Sequence, residues 1–503
     1  MLLKTVLLIA FFALMLGIGF YSRRHSTNVN GFVLGGRSVG PWLTAFAYGT
    51  SYFSAVVFVG YAGQFGYKYG LASTWIGIGN ALLGSLIAWV VLGRRTRIMT
   101  KHLKSMTMPD FFGKRFDSGS LRVAASVIAF IFLIPYTASV YNGLSYLFGM
   151  AFDVDFRICV VVMAVLTGVY VIVGGYMATA LNDLIQGTIM LFGIVAVIAA
   201  VLSGHGGFIA AVKELAGVSN DVMPGAYASF FGPDPANLLG VVILTSLGTW
   251  GLPQMIQKFY AIKDEKAVQT GTIISTLFAV VVSGGCYFLG GFSRISGVQE
   301  AADGSVAYDT IIPTMLSTLP DLLIGIVIVL VLSASMSTLS SLVLTSSSTL
   351  TLDFIKPLFI KNMDEKKQLI WMRILIAFFI ILSVVIALDP PAFIAQLMGI
   401  SWGALAGAFL APFLYGLYWK GVTKAAVWAS FASGVGITVI NMFVKFIASP
   451  INAGAIAMIA GLIVVPVVSF LTPKMDSKRT EEIFSCLDEK VTVEQRMALP
   501  KED

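Results

Sequence analysis

The chain has 503 residues, of which 57% are hydrophobic and only 12% charged, with a formal net charge of +7. Soluble domains carry about a quarter charged residues, so a soluble globular fold is excluded. Three dispersed cysteines, three histidines in predicted loops, and no HExxH or nucleotide-binding loop leave a disulfide scaffold, a zinc site or an enzyme without residues to carry it.

Apolar stretches of about 20 residues recur from end to end, as in a polytopic membrane protein. They predict thirteen spans, near 3–21, 41–63, 71–93, 121–149, 156–176, 180–202, 237–257, 268–292, 319–352, 367–388, 392–416, 422–444 and 453–472. The first carries its arginines after the apolar run and lacks a small-residue cleavage site, so it reads as a retained helix rather than a signal peptide. With the N-terminus outside, only six of the 33 Lys and Arg residues (Lys4, Lys68, Arg157, Lys213, Arg294 and Lys445) face outward. That bias predicts a cytoplasmic C-terminal tail and explains the basic charge without nucleic acid. The outside loops 203–236 and 293–318 are expected to form small helices over the membrane portion. The tail from about Thr472 shows no recognisable module. The expected partners are the lipid bilayer and a small-molecule substrate, with no obligatory protein partner evident.

Two spans read as interrupted helices. Span two opens at Pro41 and contains AYGTSYFSAVVF, where Gly49 and a Thr-Ser pair weaken a regular helix. Span seven contains TSLGTWGLPQM, with Gly248, Gly251 and Pro253 in an apolar run. Either alone is an ordinary kink. Five spans separate the two, an odd number, so the units that carry them are inverted, which points to a midplane site in a secondary transporter.

Span six places Asp183 about one turn inside the membrane, where a carboxylate marks an ion, proton or substrate pathway, or else caps the helix start. Span nine, LSASMSTLSSLVLTSSSTLTL from Leu332 to Leu352, is dense in hydroxyls, with Ser337 and Ser341 on one face. Each hydroxyl needs a partner where there is no water. Close helix packing would supply one, and so would a small hard cation, with sodium the natural choice for neutral oxygens. Asp183 beside these hydroxyls would make a second cation site.

Four motifs in combination resemble the sodium:solute symporter family over roughly residues 5–470: GGRS at 35–38, GG-x-x-A-x-x-x-ND-x-x-QG from Gly174 to Gly187, GLPQ at 251–254, and ASMSTLSS from Ala334 to Ser341. The last two look most like the proline and pantothenate carriers. The resemblance implies an all-α membrane fold of thirteen helices, LeuT-like, with inverted five-helix repeats in spans two to six and seven to eleven. The segments would be 1–40 (first helix and cytoplasmic loop), 41–202 (first repeat), 203–236 (extracellular loop), 237–416 (second repeat), 417–472 (two further helices) and 473–503 (tail).

The resemblance also implies a sodium site formed by the carbonyls of Thr50, Phe53 and Ala334 and the hydroxyls of Ser337 and Thr338. A second site, present in some members, would use Asp183, Ser337, Ser340 and Ser341, giving one or two sodium ions. The substrate lining would be Ser51, Tyr52, Ser54, Tyr136, Thr249 and Trp250. Tyr52 stands where proline carriers have Asp, and Thr245 and Thr249 where they have Trp and Tyr, while Tyr136 matches a substrate-side Tyr. No Lys or Arg is predicted at midplane. The implied function is sodium-coupled symport of a small organic solute, an amino acid such as proline or a small carboxylate, into the cell across the plasma (inner) membrane. A proton-coupled carrier with Asp183 as proton site, or a transporter-like sensor, would be alternatives on the same scaffold.

Overall fold

The computed structural model describes residues 2–152, 155–298 and 305–487. Among the described residues the ordered elements are helical, and the one β feature is an isolated bridge between Val39 and Ile262. Eleven helices there are long and apolar enough to cross a membrane. Two of the eleven bend at predicted span boundaries. Phe156–Gly204 turns at Gly175 (φ 56°, ψ −150°), at the end of predicted span five. Val56–His102 passes through Gly70 (φ 60°), between predicted spans two and three. A left-handed residue redirects the chain without ending the helical run, so these bends account for the difference between eleven continuous helices and thirteen predicted spans. Glycine is required at Gly175 twice over, since a Cβ there would also lie 2.8 Å from the Phe32 ring.

Both interrupted helices are present. Helix α1 (Pro41–Tyr52) has its proline in the first turn and ends at Phe53 (φ −103°, ψ 86°). The chain resumes in the wider turn Val56–Tyr61 and continues as α2 (Ala62–Tyr69). Ser54 caps this second half: its Oγ accepts the Val56 N–H at 3.2 Å and its carbonyl accepts those of Val57 and Phe58 at 3.0 and 3.1 Å. Gly49 lies within the helical part of α1, where a Cβ would sit 2.4 Å from the Phe278 ring. Its role is therefore close packing, and the break falls four residues later than that glycine suggests.

Helix α3 (Phe156–Gly204) carries Asp183. Helix α4 (Pro235–Gly248) and helix α5 (Pro253–Ala261) flank the second break, and Pro253 opens α5 where a missing N–H costs nothing. Helix α6 (Glu265–Gly290) packs against α1 and α2, helix α7 (Asp321–Thr349) against α3, and helix α8 (Ile394–Tyr418) supplies Trp402. In the long loops Phe208–Ala216 and Ile311–Leu316 form short helices, as their composition predicts.

The two broken elements are tied together beside Val39. The Val39 N–H donates to the Ala261 carbonyl at 3.2 Å, and Lys263 N–H to the Val39 carbonyl at 3.0 Å. Arg37, from the GGRS motif, donates to Thr100 Oγ1 at 3.3 Å, to the Tyr260 carbonyl at 3.4 Å and to the Ser105 carbonyl. Burial pushes its guanidinium down to about 10, which leaves it charged at neutral pH. Nearby, Arg122 bridges Asp353 at 2.7 Å and the Leu352 carbonyl at 2.8 Å, holding the end of the hydroxyl-rich span.

The closest backbone approach to the first broken element is α2 against α6. A Cβ on Gly66 would lie 2.0 Å from the Gly290 carbonyl oxygen, and one on Gly290 2.1 Å from that of Ala62. Gly66→Ala is predicted to separate these helices at a cost of about 1–3 kcal/mol, read as a lower melting temperature of the purified protein. An unchanged melting temperature would contradict this packing.

Candidate functional site at the break in the first interrupted helix

Helix α7 is buried without interruption from Leu330 to Thr349. Several of its hydroxyls reach back to carbonyls of their own helix, as Ser335 does to Val331 at 2.7 Å and Ser340 to Ser337 at 2.8 Å, which helps make a polar helix tolerable at depth. Ser337 and Thr338 also reach across to α1. Because α1 ends at Tyr52, the Thr50 carbonyl has no helical donor four residues on, and it accepts Ser337 Oγ at 3.2 Å and Thr338 Oγ1 at 3.1 Å instead. The Ala334 carbonyl lies 3.1 Å from both hydroxyls, and the Ser333 carbonyl 2.8 Å from Ser337 Oγ. Two hydroxyl protons thus serve three carbonyls, leaving a surplus of lone pairs in a buried cluster. Phe53, three residues after Thr50, is the first residue past the helical dihedrals. Oxygens in excess of protons, with the Asp183 carboxylate beside the Thr50 side chain, suit a weakly held monovalent cation.

A second polar cluster lies one turn further along α7. The Ser341 Oγ is 2.7 Å from the Ser51 Oγ, and it accepts a hydrogen bond from Lys258 Nζ at 2.9 Å. That ammonium is 4.0 Å from Asp183 Oδ2 and 5.2 Å from the centre of the Tyr176 ring. Asp183 is fully enclosed, with the Thr50 side chain and Lys258 beside its carboxylate. It sits about two turns beyond the Gly175 bend in a continuous helix, which overturns the reading of Asp183 as a helix-start cap. Lys258 also differs from expectation: the predicted span ended at 257 and put it among the cytoplasmic cations, but α5 carries it inward, where it is 2% exposed. Asp183, Ser51 and Ser341 therefore meet around Lys258, while Ser340 turns back onto its own helix.

The residues expected to line a substrate site divide into groups. Tyr52 donates to the Thr245 carbonyl at 2.6 Å, and its ring centre lies 5.9 Å from that of Trp402. The Tyr136 ring meets the same indole edge-on at 5.8 Å. Neither the Tyr136 hydroxyl nor Trp402 Nε1 completes a hydrogen bond, although Ser54 and Trp402 both lie beside Tyr136. Tyr52, Ser54 and Tyr136 thus border the α1 break, with two buried polar atoms awaiting a partner. Thr249 and Trp250 instead donate to the carbonyls of Gly84 and Leu83, at 3.1 and 3.0 Å, and Ser51 belongs to the Lys258 cluster.

The model of the sodium:solute symporter family matches residues 32–434. This chain belongs to that family. The symporter is 31% identical over 494 residues to the sodium/proline symporters of Staphylococcus aureus strains JH9 and JH1, covering 94% of this chain and 93% of each relative. Its fold is similar to a substrate-bound, outward-open Na+-coupled sialic acid symporter (TM-score 0.74, 16% identity, 94% of this chain and 98% of the other). It also resembles a nucleobase-cation-symport-1 family transporter in a closed conformation (TM-score 0.53, 14% identity, 90% and 97%). The architecture is LeuT-like, and the protein is a sodium-coupled membrane transporter rather than an enzyme.

Two residues of the symporter's site were not singled out from its sequence. Lys258 was hidden because a hydropathy window closes a span at the first lysine. Trp402 had a usable signal, a lone indole in the small-residue run GISWGALAG of span eleven, where a Cβ on Gly248 would lie only 2.5 Å from the ring.

Ser337→Ala and Thr338→Ala are each predicted to raise the sodium concentration that half-stabilises the purified symporter by about tenfold, a loss of ~1.4 kcal/mol. Ser335→Ala, whose hydroxyl bonds only within its own helix, serves as the control and should leave sodium response unchanged. Equal sodium titrations for all three variants would contradict the cluster's role.

Proposed function

We propose that the symporter imports a small amino acid, with proline the first candidate, using sodium held between Thr50, Phe53, Ala334, Ser337 and Thr338. The observation that carries this reading is the surplus of carbonyl and hydroxyl oxygens where the interrupted α1 meets α7. Sodium is cargo here, and its binding would join the free end of α1 to a helix anchored in the rest of the fold. With Tyr52 and Ser54 directly after those carbonyls, fixing the break also fixes the groups that face the solute. Solute then binds more tightly with sodium present, and sodium more tightly with solute. A membrane potential of about 100 mV adds roughly 2.3 kcal/mol for each charge carried inward.

The solute site would comprise Tyr52, Ser54, Tyr136 and Trp402. Its aromatic walls favour a compact apolar body, and the unpaired Tyr136 hydroxyl and Trp402 N–H favour an acceptor group such as a carboxylate. The 31% identity to sodium/proline symporters supports the choice of proline. The positive-inside distribution supports an outside N-terminus, a cytoplasmic tail and residence in the plasma membrane. The bends at Gly70 and Gly175 support thirteen crossings, with repeats at 41–202 and 237–416.

The test is thermal stability of the purified protein with proline, other amino acids, small carboxylates, pantothenate, sugars and sialic acid, each in sodium and in choline. A small amino acid is expected to raise the melting temperature in sodium alone. Equal stabilisation in choline would contradict sodium coupling and favour protons. Stabilisation by a sugar instead would contradict the proposed solute class.

A further inference from the structure

The residues expected to hold a second sodium ion do not fit one, because a side chain of the protein already stands among them. Lys258 Nζ donates to Ser341 Oγ at 2.9 Å and lies 4.0 Å from Asp183 Oδ2. Ser51 Oγ closes the cluster at 2.7 Å from Ser341 Oγ, and all four side chains are buried. A carboxylate beside neutral hydroxyls is a donor set for a monovalent cation. Here the ammonium touches one hydroxyl and neutralises the carboxylate. A sodium ion added to the same volume would sit against an ammonium and leave a net positive charge out of reach of water, which is unfavourable on both counts. The N–O gap of 4.0 Å is also too short to admit an ion between the two groups.

We propose that Lys258 is a tethered replacement for the second sodium ion, so that the symporter binds a single Na+, at the Thr50 and Ser337 cluster. This rests on the proposed reading of that cluster as a sodium site. The consequence is mechanical as well as stoichiometric. Lys258 lies on α5, in the second half of the span-seven break, while Asp183 is on α3 and Ser341 on α7. The contact between the second broken element and its surroundings is therefore permanently cross-linked by charge. The first broken element shares that cluster through Ser51, but its Thr50 carbonyl, one turn away along α7, is left to an ion that comes and goes. Two structurally related junctions then behave differently, one built in and one switched.

The test is equilibrium binding of radioactive sodium to the purified full-length protein, with the ion alone as probe. One saturable ion per chain is expected for the native protein, bound about tenfold more weakly in Ser337→Ala. Lys258→Ala removes the ammonium and leaves Asp183 and Ser341 in place, so it is expected to bind two. Should that variant fail to fold with its carboxylate unpaired, the neutral pair Asp183→Asn with Lys258→Met keeps the question open to decision. It is expected to bind one ion with affinity within threefold of the native protein. Two ions in the native protein, or loss of an ion in the neutral pair, would overturn the assignment of Lys258 while leaving sodium coupling intact. No sodium binding by the native protein would overturn the sodium site itself and this inference with it.

Discussion

The backbone carbonyl of Thr50 is the point on which the rest of the site depends. Helices in a bilayer use every carbonyl internally, because nothing else at depth can satisfy one. Ending α1 at Tyr52 breaks that rule in a buried place, and the carbonyl it releases is met by two hydroxyls from α7. Those hydroxyls are themselves oversupplied with acceptors. The interface is consequently held by weak, shared hydrogen bonds that a cation can replace without exposing any group to lipid.

Close packing makes such a break sustainable. Gly49 lets the Phe278 ring lie against α1, Gly187 admits Phe46 and Thr50, and Gly66 brings α2 onto the backbone of α6. Both halves of the interrupted helix are thus gripped from the side, and Ser54 supplies the capping that the second half would otherwise lack. At the other end, Val39 bonds to the backbone at the end of α5, so the two interrupted elements are joined there.

Much of this was legible in the sequence, for reasons that differ by residue. Hydropathy located the spans because bilayer thickness leaves few options for their length. It also separated spans five and six, which form one bent helix, because the Gly175 turn shortens the apolar run much as a loop would. The hydroxyl row of span nine signalled the polar junction with the end of α1 because polar atoms at depth need a reason. Lys258 was read as a loop residue because composition alone cannot tell a lysine leaving the membrane from one folded back towards Asp183. Ser51, Thr249 and Trp250 were grouped with the substrate site by their nearness to the breaks. Their hydrogen bonds to Ser341, Gly84 and Leu83 depend on tertiary geometry that local pattern does not encode.

The most direct measurement of the central claim is hydrogen–deuterium exchange of the purified protein in sodium and in potassium, followed at 49–57 and 333–342. If sodium bridges the released Thr50 carbonyl and α7, it should slow exchange in both segments of the native protein, and Ser337→Ala should need about tenfold more sodium for the same protection. Exchange in these segments that ignores sodium, or protection at equal sodium in Ser337→Ala and the native protein, would contradict the bridge.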